Sequence, residues 1–297
     1  MLDSVIRYGY VPLLLLGANA ASGYAAYLGA NLVIPLIVVA AIGCSFAAER
    51  RLPYRAEWND PHNDAGRDVV HVLVNETAIL AGVAVIPVLA AIVPLPPLWP
   101  DSLPFAVQLV LAILVADFGI TTIHLASHKV GWLWRLHAVH HSVRRCYGLN
   151  GLMKHPLHQT IEMAGGVLPL LLLGLPVNVA AALAACVAVQ LLLQHSNVDY
   201  RVGPLRRVLA LNEGHRFHHL KWAGIGDVNF GLFTLVWDHL YRTFSFQPDR
   251  VFTSDDLGMA AKPTYPDGYV DQLVEPFRSS GACHLASTAG ETVQAKS

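Results

Sequence analysis

Five blocks of apolar residues, each near the length needed to cross a bilayer, constrain this chain more than any other feature. A spanning helix needs about 20 mostly apolar residues to cross a hydrocarbon core of roughly 30 Å. The blocks are Val11 to Ala30, Asn31 to Ala48, Val69 to Leu95, Phe105 to Ile123 and Gly166 to Leu193. They take up so much of the 297 residues that charged side chains fall to 14%, against about a quarter in an ordinary soluble domain. The expected fold class is all-α: a multi-spanning membrane bundle of about four spanning helices, plus a helical hairpin that dips in and returns. A histidine-rich helical cap completes it.

The first two blocks abut at Gly29-Ala30-Asn31, which reads as a turn. The second and third are parted by the charged loop Glu49 to Asp68, and Pro94-Leu95-Pro96-Pro97 is a strong helix stop after the third. Lys and Arg gather in three segments: Arg50 to Arg67, Lys129 to Lys154, and Arg201 to Lys221. The loop between the third and fourth blocks has neither. By the positive-inside tendency the three basic segments face the cytosol. The fifth block then has both ends on one side, so Gly174-Leu175-Pro176 near its middle is expected to turn it back. A single crossing would part the histidines onto two faces. Met1 to Pro12 lacks the basic start of a cleavable signal, so the early blocks are expected to remain as spans.

A formal net charge of −1 gives no electrostatic footprint for nucleic acid. The four cysteines, Cys44, Cys146, Cys186 and Cys283, show no C-x-x-C pairing, which argues against a disulfide framework or a zinc ribbon. Histidine is the unusual residue, with 15 copies, most of them between His124 and His239. His124 and His128 stand i, i+4 at the end of the fourth block, so both imidazoles share one helix face. His137, His140 and His141 make an H-x-x-H-H box, and His215, His218 and His219 repeat it. His195 follows the fifth block directly. A lone histidine is more often a hydrogen-bonded core residue than a ligand, but two such boxes beside an H-x-x-x-H at one membrane face point to metal. Eight imidazoles exceed what one ion takes, so two ions are expected. Imidazole suits Zn, Cu, Fe and Ni alike, which leaves the metal open on ligand type. His155 joins the candidate ligands, with His158 behind it. His62, His71 and His284 read as structural or exposed.

In these motifs the chain resembles the fatty acid hydroxylase and sterol desaturase superfamily of integral-membrane enzymes. The ordered series of three boxes carries the resemblance. His155-Pro156-Leu157, His195-Ser196-Asn197, Asn229-Phe230-Gly231 and Trp237-Asp238-x-Leu240 strengthen it, and together they cover roughly residues 69 to 244. It implies a catalytic domain over 69–250, between N-terminal spans and a loop (1–68) and a tail (251–297) that frays at its end. It also implies a pair of iron ions, molecular oxygen, electrons from a separate reductase protein, and a lipid or sterol hydroxylated or desaturated, or an ether lipid cleaved. Catalysis and metal binding then fall to His124, His128, His137, His140, His141, His215, His218 and His219, with His195 and His155 as further ligands. Asp117, Asn150, His158, Glu162, Asn197, Asn229 and Asp238 are the candidates to support the ligands' far nitrogens. Two departures stand out: His158 replaces the glutamate common in relatives, and Tyr241-Arg242-Thr243 replaces Phe-Gly-Thr.

Three rival classes remain. A membrane zinc hydrolase is expected to carry H-E-x-x-H, which is absent. A metal transporter is expected to place its ligands near the bilayer midplane, whereas these lie at the rim. A non-catalytic scaffold is expected to have lost ligands from the boxes. The host membrane is the bacterial inner membrane or the endoplasmic reticulum, according to source.

Overall fold

The computed structural model describes residues 1–92 and 98–278, so the proline-rich stop after the third block and the tail carrying Cys283 and His284 lie outside the described residues. Helices dominate, and no strand occurs among the described residues. Four helices are long and apolar enough to cross a membrane: Asn31–Arg51, Ala65–Leu89, Phe105–Lys129 and Val177–His195.

The N-terminal block forms helix α1 (Leu2–Pro12), a π-helical turn (Leu13–Ala18) and α2 (Asn19–Tyr27). Gly29, at φ +74°, then turns the chain into α3 (Ile34–Arg51). Helices α4 (Ala65–Ile92) and α5 (Phe105–Lys129) follow. Their outward faces carry exposed Leu73, Leu80, Val88, Val110 and Leu114, a pattern costly in water and natural against lipid. Inside, α5 meets α7 (Pro156–Leu172) backbone to backbone: a Cβ on Gly119 would lie 2.2 Å from the Gly165 carbonyl oxygen.

The fifth block is a hairpin, as its Gly-Leu-Pro centre predicts, but its first arm is longer than expected. It starts at Pro156 instead of Gly166, because Pro156 at the first helical position and His155 as N-cap launch the helix ten residues earlier. The second arm, α8 (Val177–His195), is the most enclosed of the long helices, and Val189, Leu192 and Leu193 are almost wholly buried among α1, α3 and the segment after it. Both open ends of the hairpin reach the histidines, His158 from one arm and His195 from the other.

Short elements close that end of the bundle: α6 (Gly131–His141), α9 (Asn212–His218) and α10 (Val236–Tyr241). The end of the tail lies outside the described residues, and the part before it is packed. Through α11 (Tyr269–Val274) it packs back on the bundle, where the fully buried Gln272 bonds His71 Nε2 at 2.9 Å and reaches Ser142 Oγ. Buried ion pairs brace the same end: Arg145 bonds both carboxylate oxygens of Asp64, and Asp68 accepts from Arg67, Tyr147 and Asn150.

Candidate metal centre

The histidines sort into two buried groups whose donor atoms lie within 4.8 Å of one another: His124, His128, His137, His141 and His218 in one, and His140, His195, His215 and His219 in the other. Each H-x-x-H-H box is divided between them. In α6 the i, i+4 pair His137/His141 enters the first group while His140 points to the second. In α9 and its C-terminal cap the pair His215/His219 enters the second group while His218 points to the first. Adjacent residues on a helix are about 100° apart, so neighbouring histidines serve different groups, and the two groups sit side by side. The rings of His141 and His219 are 4.8 Å apart, those of His215 and His218 5.0 Å.

In the first group four Nε2 atoms form a ring with edges His124–His137 3.1 Å, His137–His141 3.0 Å, His141–His218 3.0 Å and His218–His124 2.9 Å. In the second, the Nε2 atoms of His195, His215 and His219 are mutually 3.1 to 3.2 Å apart, with His140 3.2 Å from His195. A metal–imidazole bond of about 2.1 Å puts ligands at right angles about 3.0 Å apart and tetrahedral ligands about 3.4 Å apart. The edges of the first group match ligands at right angles, and those of the second fall between the two values.

Protonation makes the same point. The Nδ1–H of His124 donates to the Phe230 carbonyl at 2.9 Å and that of His218 to the Val228 carbonyl at 2.9 Å. His140 donates likewise to Met153 and His195 to Leu191, both at 3.0 Å. A carbonyl only accepts, so in each neutral ring the proton sits on Nδ1 and Nε2 carries a lone pair. His124 and His218 therefore face each other lone pair to lone pair at 2.9 Å, and His140 and His195 do so at 3.2 Å. Such contacts repel unless a cation lies among them. Protons are disfavoured as that cation: burial, then the neighbouring imidazoles, hold His137, His140, His141, His215 and His219 well below the ordinary histidine range, and burial does the same to His218. The donor sets thus fit metal ions.

The other candidates take varied places. His155 enters neither group; its Nδ1 accepts from Leu157 N at the start of α7 and its Nε2 meets the Leu273 carbonyl. His158 Nε2 meets Ser127 Oγ at 2.8 Å, and its ring lies 4.5 Å from that of His137. With His137 and Glu162 it forms a third cluster of donor atoms within 4.8 Å. Asp117 touches no histidine. It accepts from Phe233 N, Thr234 N, Thr234 Oγ1 and Trp237 Nε1, and so pins the loop that carries the Phe230 carbonyl. Asp238 grips the same loop through Phe230 N and Gly231 N. Asn229, at φ 54°, ties it to Gly214 and Ser245. Asn150 bonds Asp68, and Asn197 holds Arg55 and Asn59, both away from the imidazoles. Asp227, which the sequence reading passed over, accepts from His128 Nδ1 at 2.9 Å; its only signal was an acid two residues before Asn229-Phe230-Gly231.

An apolar cleft of about 390 Å³ runs between α4, α7 and α8, lined by Val83, Ile86, Leu168, Leu171 and Leu183 among others. It shares Ile79, Gln159 and Met163 with a smaller inner chamber that reaches Leu191 and Glu162 beside the histidines.

Apolar spans capped by two buried histidine groups define a multi-pass membrane protein with a metal-binding type of site. The fatty acid hydroxylase family model matches residues 109–243, which enclose all nine grouped histidines. The ornithine lipid hydroxylase OlsE of Rhizobium tropici is 35% identical over 242 residues, 78% of this chain and 72% of that protein. The alkylglycerol monooxygenases of Danio rerio and Homo sapiens are 31% and 29% identical over 144 and 140 residues, about half of this chain but only 31% of each of theirs. No solved structure matches. The chain belongs to the fatty acid hydroxylase family, and its relatives are lipid hydroxylases.

Proposed function

We propose that this protein is a di-iron monooxygenase that hydroxylates a membrane lipid, with an ornithine lipid as the first candidate substrate. The observation that carries the reading is the pair of adjacent nitrogen sets, nine imidazoles in two buried groups, eight of them with Nε2 atoms 2.9 to 3.2 Å from a neighbour's. One tetrahedral zinc would use four ligands and no more, which disfavours the hydrolase reading. The substrate class comes from OlsE, which the chain matches over most of its length; the alkylglycerol monooxygenases match over about half of the chain.

We assign His124, His128, His137, His141 and His218 to one iron and His140, His195, His215 and His219 to the other. Bound there, the pair would supply reductive activation of dioxygen: one oxygen atom enters a C–H bond, the other leaves as water, and two electrons and two protons are consumed. The chain's own residues hold and shield. The carbonyls of Phe230, Val228, Met153 and Leu191 keep four imidazoles in the ligating tautomer. Phe230, fully buried, stands edge-on to His124, His128 and His218, and Trp134 covers His128 and His141, so water is kept out. The lipid enters through the apolar cleft. Hydroxylation is favoured over desaturation because the relatives hydroxylate. The site faces the cytosol, where the basic segments beside the histidines receive a separate electron-transfer protein.

The test is turnover by purified, iron-supplied protein given ornithine lipid, a chemical reductant and isotopically labelled dioxygen. The expected product carries one oxygen atom from dioxygen and is absent with His218→Ala. Product oxygen drawn from water, or undiminished turnover by His218→Ala, would overturn the assignment.

A further inference from the structure

The inner chamber holds about 20 Å³, room for one group the size of a water or an ammonium. Three charged side chains line it: Glu76, Glu162 and Lys154. Lys154 Nζ is paired with Glu162 Oε2, so one carboxylate is left over. That carboxylate is Glu76, an acid in the apolar helix α4 with no ion pair or hydrogen bond among the described residues. An ionisable group inside a span is retained at a cost and marks function by default.

Beside the remaining N–H groups of Lys154 and Gln159, two buried acceptors here have no partner. Glu162 is 98% buried (2% exposed), and its Oε1 has no partner. Asn75, 1% exposed, lines the outer cleft, and its Oδ1 is likewise unpartnered, because its Nδ2 is spent on the Leu152 and Lys154 carbonyls. A chamber with two carboxylates to one lysine, and with unpartnered buried acceptors, suits a ligand that donates hydrogen bonds and carries positive charge. Around it the cleft is apolar and open on its flank, where Ala78, Ala164 and Leu168 are exposed.

We propose that the chamber seats a primary ammonium on the headgroup of the substrate lipid, held by Glu76 and Glu162 Oε1. This rests on the lipid-hydroxylase reading and deepens it. The lipid's chains then lie in the apolar cleft, and the headgroup end faces the histidines, to which Glu162 is joined through His158 and His137. Glu76 is accordingly a specificity residue.

The test is binding measured by native mass spectrometry on the metal-loaded protein in detergent, with three probes: ornithine lipid, the same lipid with its amine acetylated, and soluble ornithine. The wild type is expected to bind the amine lipid at least about tenfold more tightly than the acetylated one, and far more tightly than soluble ornithine, which lacks the cleft contacts. Glu76→Gln is expected to erase the preference between the two lipids while keeping wild-type metal content. Equal binding of both lipids by the wild type, a preference that survives Glu76→Gln, or soluble ornithine binding as tightly as the lipid would each overturn it. Should Glu76→Gln fail to accumulate, the wild-type comparison still decides, since only the lipid changes. Turnover run in parallel separates the two readings: Glu76-dependent binding of the amine lipid without oxygen insertion refutes the hydroxylase and leaves the ammonium site standing.

Discussion

Gly151→Ala should loosen one metal of the two. Gly151 lies in the short 3-10 segment Gly148–Leu152, against the last turn of α8. A Cβ there would come 2.3 Å from the Leu191 carbonyl oxygen, 2.7 Å from its carbon and 2.8 Å from His195 Nδ1. Those are the two partners of the hydrogen bond that orients His195. The overlap is with backbone, which cannot rotate away, so the segment or the helix end must shift. Overpacking of this kind costs about 1–3 kcal/mol of stability. Loss of the partner that orients a ligating histidine costs about 10–100-fold in metal affinity. His195 belongs to the second group only, and the segment also leads to Met153, whose carbonyl holds His140 of the same group. A chelator titration of the iron-loaded protein should therefore become biphasic, one iron leaving at about 10–100-fold lower chelator than in the wild type. In a His215→Ala background, which disables the second group, Gly151→Ala should leave the remaining iron unaffected. Gly43→Ala, whose Cβ meets nothing within 4 Å, is the control. Both irons leaving together at wild-type chelator would refute the reasoning.

Further outcomes follow from single contacts. Asp117→Asn sets a donor either against Trp237 Nε1 and Thr234 Oγ1, which share Oδ2, or against Phe233 N and Thr234 N, which share Oδ1, and should cost about 2–4 kcal/mol; a change below about 0.5 kcal/mol in detergent unfolding would contradict the bracing role. Asp227→Asn weakens the acceptor behind His128 and should lower affinity for the first iron about tenfold or more, read in the same titration; unchanged affinity would count against it. Arg242 sits left-handed at φ 61°, ψ 34°, closing α10, so Arg242→Gly should stabilise by about 1 kcal/mol, and a lowered melting temperature would contradict that.

The histidine boxes were legible in the sequence because helical spacing alone puts i, i+4 imidazoles on one face. The division of His140 from His141 and of His218 from His219 also follows from the helical angle, yet which group each joins depends on how α6 and α9 are docked. The braces were mostly hidden. Four are backbone carbonyls, which leave no mark on residue type, and Asp227 is one acid among many. Asn150 and Asn197 stand near His155 and His195 in the chain but turn to Asp68 and to the loop at Arg55–Asn59 respectively, since sequence proximity says nothing of direction. His155 has a ligand's chemistry and a cap's position: Pro156 starts a helix, and the residue before it is spent as N-cap. The hairpin was visible in Gly174-Leu175-Pro176, but its true first arm was masked by the polar residues His158 and Glu162, which face the protein interior instead of lipid.

The central claim is that this chain builds two metal sites from nine histidines, and counting metals tests it most directly. Protein produced with iron supplied, purified in detergent and measured by elemental analysis should hold two irons per chain, falling to one in His215→Ala. One zinc per chain that iron does not replace, or no bound metal at all, would contradict it.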